Sequence, residues 1–404
     1  MEKPSLALIP TGYKDGKLYS VLPENGVGDF DVVRGSGATR VNKEGLVESM
    51  ANNTPRLDYT GGGCPSLLLE PLSTNLVTYS EDFSNASWVK SDTIVSNGVV
   101  APSGSNEAFN LLADNVTNQA YVNVNVSVTT SQTYTFSVFA KQGAEKYIAL
   151  ANLNPYTSSF FDLESGVALG STAVSSSIED YGNGWFRCSV ETTADTTTKF
   201  CGVYLSDNGT TLISSSIPNG NGVQIWGAQL EPLPYATSYI PTSGAIASRL
   251  ADSVTGAGDV NTFNSTEGVL YFEGSALTNG GSERYISLSD NTDSNYVQLI
   301  LHAIDNRMVF RVKSGGVAQV NIDDYTFEQT DNLKIACVYK QNNFSLWING
   351  VERATDFSGN IPIGLSKLDF SLFNGNVPFY GKVKDLRVYN TALTDAELIE
   401  LTTI

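Results

Sequence analysis

Apolar and polar positions alternate with a period of two along much of this chain. At 121–128 (YVNVNVSV), Val122, Val124, Val126 and Val128 fall on one side and the polar residues on the other. At 134–140 (YTFSVFA), Tyr134, Phe136 and Val138 share a side. Successive side chains of a strand point to opposite faces, so this pattern predicts half-buried strands. Residues 160–169 (FFDLESGVAL) break at Glu164-Ser165-Gly166, which predicts a hairpin. Residues 179–191 (EDYGNGWFRCSVE) lead from an Asn183-Gly184 turn into a strand. Past residue 265 the pattern predicts strands at 269–272, 285–288, 296–301, 308–312, 333–339, 344–348, 368–373 and 381–388. Asn349-Gly350, inside NFSLWINGVERAT, predicts a type I′ turn with a returning strand. One short helix is predicted near the end, with Thr394 as N-cap and Glu397 completing a capping box. Heptads and short solenoid periods are missing, so neither a coiled-coil shaft nor a β-helical stalk is expected.

The same pattern divides the chain. Residues 1–75 carry many turn formers and sparse, aperiodic apolar residues, and predict an extended arm ordered by packing on something else. Residues 76–243 and 265–404 each predict a strand-rich domain. Residues 244–264, Gly- and Ala-rich and without periodicity, predict a linker. The expected fold class is all-β: two β-sandwiches preceded by the arm.

Composition narrows the function. The 404 residues carry 24 Lys and Arg against 42 Asp and Glu, a net charge of −18, which repels phosphate backbones and anionic membrane surfaces. Nucleic-acid binding and membrane insertion are therefore not expected. The opening residues hold too short an apolar run for a signal-peptide core, so synthesis in a cytoplasm is expected. Cys64, Cys188, Cys201 and Cys337 lack metal-ligand spacing. Cys188 and Cys201 are placed to face each other across a hairpin, but a reducing cytoplasm favours two small buried thiols.

Several phrases are distinctive. Residues 64–88 read CPSLLLEPLSTNLVTYSEDFSNASW, 222–244 read GVQIWGAQLEPLPYATSYIPTSG, and 248–254 read SRLADSV. The first two bracket a domain that resembles the sugar-binding-type jelly-roll module of bacteriophage virion proteins. The words ATRVNKEGLVE (38–48) and NNTPRLDYTGG (52–62) resemble leader segments of phage structural proteins. Residues 343–355 with GKVKDLRVYNTALTDAELIEL (381–401) resemble the laminin-G-like, concanavalin-type lectin sandwich. These resemblances imply a jelly roll followed by a concanavalin-like sandwich on a virion surface. They imply bacterial surface glycans as ligands, other virion proteins as partners of the arm, and a homotrimer. A purely structural decoration or adaptor protein is the alternative. The basic cluster Arg34, Arg40, Lys43 and Arg56 reads two ways, as local salt bridging or as docking on an acidic virion surface.

Enzymatic signals are poor. His302 is the one histidine, and GxSxG is missing. The E-x-D-x-x-E string of concanavalin-type glucanases is missing too, so no enzyme activity is expected, and a glycan hydrolase that takes its carboxylates from separate strands ranks as the third reading. Sugar binding fits better, because aromatic faces pack on sugar C–H groups while amides and carboxylates bond the hydroxyls. The candidate carbohydrate-binding residues are Tyr147, Tyr156, Trp185 and Trp347. Tyr147 and Tyr156, with Phe160 and Phe161, bracket the loop ANLNPYTSSFF as a candidate groove. Trp347 alternates away from Phe344, Leu346 and Ile348 and is expected to face outward, whereas Trp226, sharing a face with Ala228 and Leu230, is expected in the core. Calcium is common in both resembled families, and Asp290, Asn291 and Asp293 share one loop as candidate ligands.

Overall fold

A computed structural model describes residues 2–153, 158–173 and 175–404. The protein is all-β apart from one short helix, and its strands build two sandwiches. Among the described residues, no helix is long and apolar enough to cross a membrane.

The first sandwich stacks two six-stranded antiparallel sheets. One, here the Tyr121 sheet, runs in the order Val89–Ser91, Tyr121–Ser127, Thr198–Leu205, Tyr147–Leu153, Ser158–Asp162, Val167–Ser171. The other, the Trp185 sheet, runs Thr93–Val99, Ala108–Ala113, Gly222–Glu231, Thr133–Lys141, Trp185–Thr193, Ser175–Asp180. Val122, Val124, Phe136, Val138, Ile148, Cys188, Val203 and Ile225 close the core between them, as the alternation requires. Cys188 and Cys201 both lie in this core as thiols, and none of the four cysteines is in a disulfide.

The second sandwich pairs a five-stranded sheet with an eight-stranded one. The five-stranded sheet is ordered Val317–Asp324, Met308–Ser314, Tyr296–Leu301, Arg284–Ser289, Lys367–Asp369. The larger sheet begins Val351–Asp356, Asn343–Ile348, Leu333–Lys340, Glu267–Ala276, Gly381–Tyr389. It then continues into the N-terminal segment with Ser66–Leu69 and Leu57–Asp58, while Leu6–Leu8 pairs with the far end of Gly381–Tyr389. The arm thus has no core of its own, as its composition says, and what orders it is this same chain. Leu6, Leu8, Leu18, Phe30, Leu57, Leu67 and Leu69 are part of the second sandwich's core.

The stretch expected to be a linker is also built in. Ala247–Arg249 pairs with Ser73–Asn75, and Ser253–Thr255 pairs with Phe30–Val33. Val254, Ala257 and Phe263 join the second core. Gly and Ala signalled tight turns here, and three-residue strands are too short to show a period.

A buried charged node joins these parts. Arg34 (0% exposed), Arg56 (1%) and Arg249 (1%) meet Glu70 (2%), Asp252 (3%) and Glu231 (0%). Arg56 bonds Glu70 at 2.5 Å and also Asp252; Arg34 reaches Asp252 at 3.1 Å and Arg249 reaches Glu70 at 3.0 Å. Arg249 also donates to Thr237 Oγ1, which donates to Glu231. Three cations face three carboxylates, the balance that buried charge demands. Of the basic cluster, Arg34 and Arg56 are therefore internal, and Arg40 pairs with Glu48 at 2.6 Å. Local salt bridging is the reading that fits these three, and docking through them is not available.

Candidate functional site

The Tyr121 sheet has a core side and a solvent side. Strand Tyr121–Ser127 sends its valines inward, so Tyr121, Asn123 and Asn125 point outward. Strand Thr198–Leu205 sends Cys201, Val203 and Leu205 inward, and Phe200, Gly202 and Tyr204 outward. The register sets Tyr121 opposite Tyr204, Asn123 opposite Gly202 and Asn125 opposite Phe200. On the next strand Ala149 and Ala151 lie beside Tyr204 and Gly202, and Phe160 lies beyond Ala149.

The result is an aromatic patch on the outer face. The ring centroids of Tyr121 and Tyr204 are 4.7 Å apart, those of Tyr121 and Phe200 6.2 Å, and those of Phe200 and Tyr204 6.3 Å. Tyr204 is buried in the middle, whereas Tyr121, Phe160, Phe200 and Leu212 are half-buried around it. Gly202 is required here. A Cβ at this position would stand 2.9 Å from Phe200 and 3.1 Å from Tyr204, so both rings lean over the bare backbone. Burial pushes the Tyr204 phenol up, with Tyr121 adding to it, so it stays a neutral hydroxyl. Asn125 is exposed opposite Phe200, whereas Asn123, Ala149 and Ala151 are buried with Tyr204 in the middle of the face. Rings beside amides can hold the apolar face and the hydroxyls of a sugar together.

Tyr147 belongs to the same outer face, two residues along the strand from Ala149. It is half-buried, with the Lys146 ammonium 5.0 Å from its ring centroid. Of the four candidate sugar-binding residues it is the one on this face, but it stands apart from the packed rings of the patch. Tyr156 lies outside the described residues. Phe160 is on the patch, but Phe161 turns into the core.

The two tryptophans are placed elsewhere. Trp185 is 2% exposed and packs with Phe139, Trp226, Tyr239 and Val47, its indole N–H donating to the Val100 carbonyl at 3.2 Å. The hairpin of Ala38–Val41 and Val47–Met50 supplies Val47, a cover from the first 75 residues that local pattern does not reveal. Trp347 does face away from the sandwich core, as its alternation says, but it is 4% exposed beneath Leu398 and Leu401 of the C-terminal helix. Neither ring is free to meet a ligand.

The candidate calcium loop is likewise committed. Asp290 accepts from Thr292 and Asn295, and Asp293 pairs with Lys313 at 2.8 Å. Asn291 adopts φ of 65° in the turn. Among the described residues, no group of three His, Cys, Asp or Glu side chains is gathered to hold a metal ion. His302, the single histidine, meets Glu283 at 2.8 Å.

Residues 260–399 match the family model of the Concanavalin A-like lectin/glucanases superfamily. The matched segment is about one third of the chain and coincides with most of the second sandwich. No curated protein matches the chain. Among solved structures, the CBM40 of a Ruminococcus gnavus IT-sialidase bound to alpha2,3 sialyllactose is similar at 16% identity with a TM-score of 0.32. That match covers 37% of this chain and 93% of that one. Domain 4 of AbnA, a GH43 extracellular arabinanase from Geobacillus stearothermophilus, in complex with arabinotriose, is similar at 15% identity and a TM-score of 0.32, covering 42% and 82%. The Caenorhabditis elegans galectin LEC-6 is similar at 17% identity and a TM-score of 0.24, covering 31% and 83%.

The residues that make the patch had a signal in the sequence. Tyr121 stands on the polar side of YVNVNVSV, and Phe200 and Tyr204 stand opposite Cys201 and Val203 in KFCGVYL. An aromatic residue on the side of a strand that should be polar marks a face that is covered by another element, as at Trp347, or left to meet a partner.

Proposed function

We propose that this chain is a glycan-binding protein of a bacteriophage virion surface, which holds sugar on the aromatic face of its Tyr121 sheet and does not cleave it. The observation that carries the binding reading is the half-buried trio Tyr121, Phe160 and Phe200, with the exposed amide of Asn125 beside Phe200. Rings packed side by side on an outer sheet face offer the C–H face of a sugar a surface to pack on. The lectin-family match over residues 260–399 supports the same class of ligand. The place on a virion is supported by the phrases at 38–48, 52–62, 64–88, 222–244 and 248–254. Display in symmetric copies, as in a homotrimer, would raise weak single-site binding by ~10²–10⁴ through effective concentration.

The test is a bacterial glycan array probed with multivalent protein, with and without calcium. Binding to a narrow set of glycans is expected. Phe200→Ala and Tyr121→Ala should each weaken it roughly two- to tenfold, the weight of one lost ring contact of about 0.5–1.5 kcal/mol. Assays for new reducing ends on the bound glycans should stay blank. Unchanged binding in both alanine variants would remove the sheet face from the site.

A further inference from the structure

A cleft lies away from this patch, between the two sandwiches. It measures about 430 Å³, within the ~300–1,000 Å³ typical of small-ligand sites, which favour domain interfaces. Its floor is the outer face of the Trp185 sheet, where the register stacks Ser175 on Glu191, Ser177 on Ser189 and Glu179 on Arg187. The opposite wall comes from the second sandwich through Ser275, Thr330 and Lys382. Tyr181 and Tyr235 add two half-buried rings.

Three features make this more than a wet seam. Three of the floor residues, Ser175, Ser177 and Ser189, are small hydroxyls, so the space above them stays open. They already trade hydrogen bonds, with Ser175 donating to Glu191 at 2.6 Å and the Ser177 and Ser189 hydroxyls 2.7 Å apart. Such groups can switch between donating and accepting to suit an incoming hydroxyl. Arg187 is 4% exposed and directs its two terminal nitrogens to the Thr237 carbonyl and to Ser137, but its Nε has no hydrogen-bond partner. The Nε of Arg56 and of Arg249 is left in the same way in the charged node, but at Arg187 the cleft beside Tyr181 leaves room for a bound hydroxyl to accept.

We propose that this cleft is a second saccharide site, taking a short neutral oligosaccharide across the junction of the two sandwiches. Hydroxyl-bearing floor residues repeat every second position along a strand and on neighbouring strands, a grid with ~6.8 Å and ~4.8 Å spacings. A polyhydroxylated chain satisfies such a grid; a nucleic acid would meet Glu179 and Glu191 in a chain of net charge −18. The site does not depend on the aromatic patch, and the two can be tested apart.

The experiment uses the full chain and an array of neutral bacterial oligosaccharides, with hits measured by calorimetry. Ser177 is exposed on a strand at the cleft, so Ser177→Trp fills the space while keeping a strand-compatible residue. The expected result is at least a tenfold loss of affinity for cleft ligands with an unchanged melting temperature, and a smaller loss in Glu191→Gln. Phe200→Ala should leave these ligands bound. If Ser177→Trp and Glu191→Gln bind every hit as the parent does, the cleft proposal is overturned; if all binding also disappears in Phe200→Ala, the sheet-face reading stands alone. Hits lost only in the cleft variants belong to the cleft and hits weakened only in Phe200→Ala and Tyr121→Ala belong to the sheet face, so an array with no hit of the second kind removes the sheet face and leaves the cleft standing. A parent protein that binds no oligosaccharide overturns both.

Discussion

Glu70 shows what a single side chain does at the junction. Burial alone would push its carboxyl up, but Arg249 and Arg56, with two hydrogen bonds from Ser238, outweigh burial and hold it well below the usual carboxylate range. In the unfolded chain the group returns to about 4.5. The folded form therefore binds fewer protons, so the stabilisation is complete above that value and drains as pH falls below it. Glu70→Gln should cost about 3–5 kcal/mol at pH 7, because it leaves Arg56 and Arg249 buried without their partner. The gap between variant and parent, read by urea unfolding, should narrow as pH is lowered from 5 to 3. A gap that stays constant would show that the Glu70 charge is not what the node uses. Asp369 and Asp385 work in the opposite sense, since burial pushes both carboxyls up, which is why the difference between variant and parent, and not the parent's own curve, is the informative quantity. The sequence displayed these charges but not their partners. Arg56 and Asp252 are 196 positions apart, and nothing local joins them.

Among the elements, alternation located strands well and covers poorly. Strand Thr133–Lys141 was expected to be half-buried, yet it is buried along its length, with Phe139 in a second small core on the outer side. Trp226 shows how one residue resets the count. It is buried, as expected, but not beside Ala228 and Leu230. Gly227 adopts φ of 63° and forms a bulge opposite Val138, where the pairing jumps from Ser137 with Gln229 to Phe139 with Trp226. The extra residue turns Trp226 to the face of Phe139, Trp185 and Tyr239, while Ala228 and Leu230 keep to the main core. A lone glycine in a strand pattern is the only hint of this. The helix Asp395–Thr402 was fully legible, since Thr394 and Glu397 make the expected reciprocal cap. Thr394→Ala should lower stability by about 1 kcal/mol. Trp347→Ala, which empties the space under that helix, should cost about 3–5 kcal/mol. Both are read by denaturant unfolding, and a near-neutral Trp347→Ala would mean the helix is not the lid it is described to be.

At the scale of the whole molecule, composition gave the order of the parts and missed their packing. The second sandwich is completed by strands from residues 6–8, 57–58 and 66–69, which are too short for any period to show. A fragment of residues 265–404 should therefore be unstable, because it leaves the edge of Gly381–Tyr389 unpaired and the core without Leu6, Leu8, Leu67 and Leu69. The full chain should show none of the dye binding and self-association expected of that fragment; a monomeric fragment with a sharp melting transition would contradict this packing. The phrases that carry the phage resemblance meet in space as well. Arg56, Glu70, Ser238, Arg249 and Asp252 come from four of them and build the charged node. What those phrases encode is a joint, and the outward rings of the Tyr121 sheet lie outside them on Tyr121 and Phe200.

Pairing of residues 6–8 with 386–388 also sets a timetable for synthesis. The first sandwich makes all its strand pairs within residues 89–231, so it can fold as soon as that stretch clears the ribosome. The leucine-bearing segments before it cannot, since their partner strand is translated well after the first sandwich is complete, on the order of 8–30 s later at ~5–20 residues per second. For that interval Leu6, Leu8, Leu57, Leu67 and Leu69 hang beside a finished domain with nothing to cover them. The protein should therefore depend on holding chaperones while it is being made far more than after release.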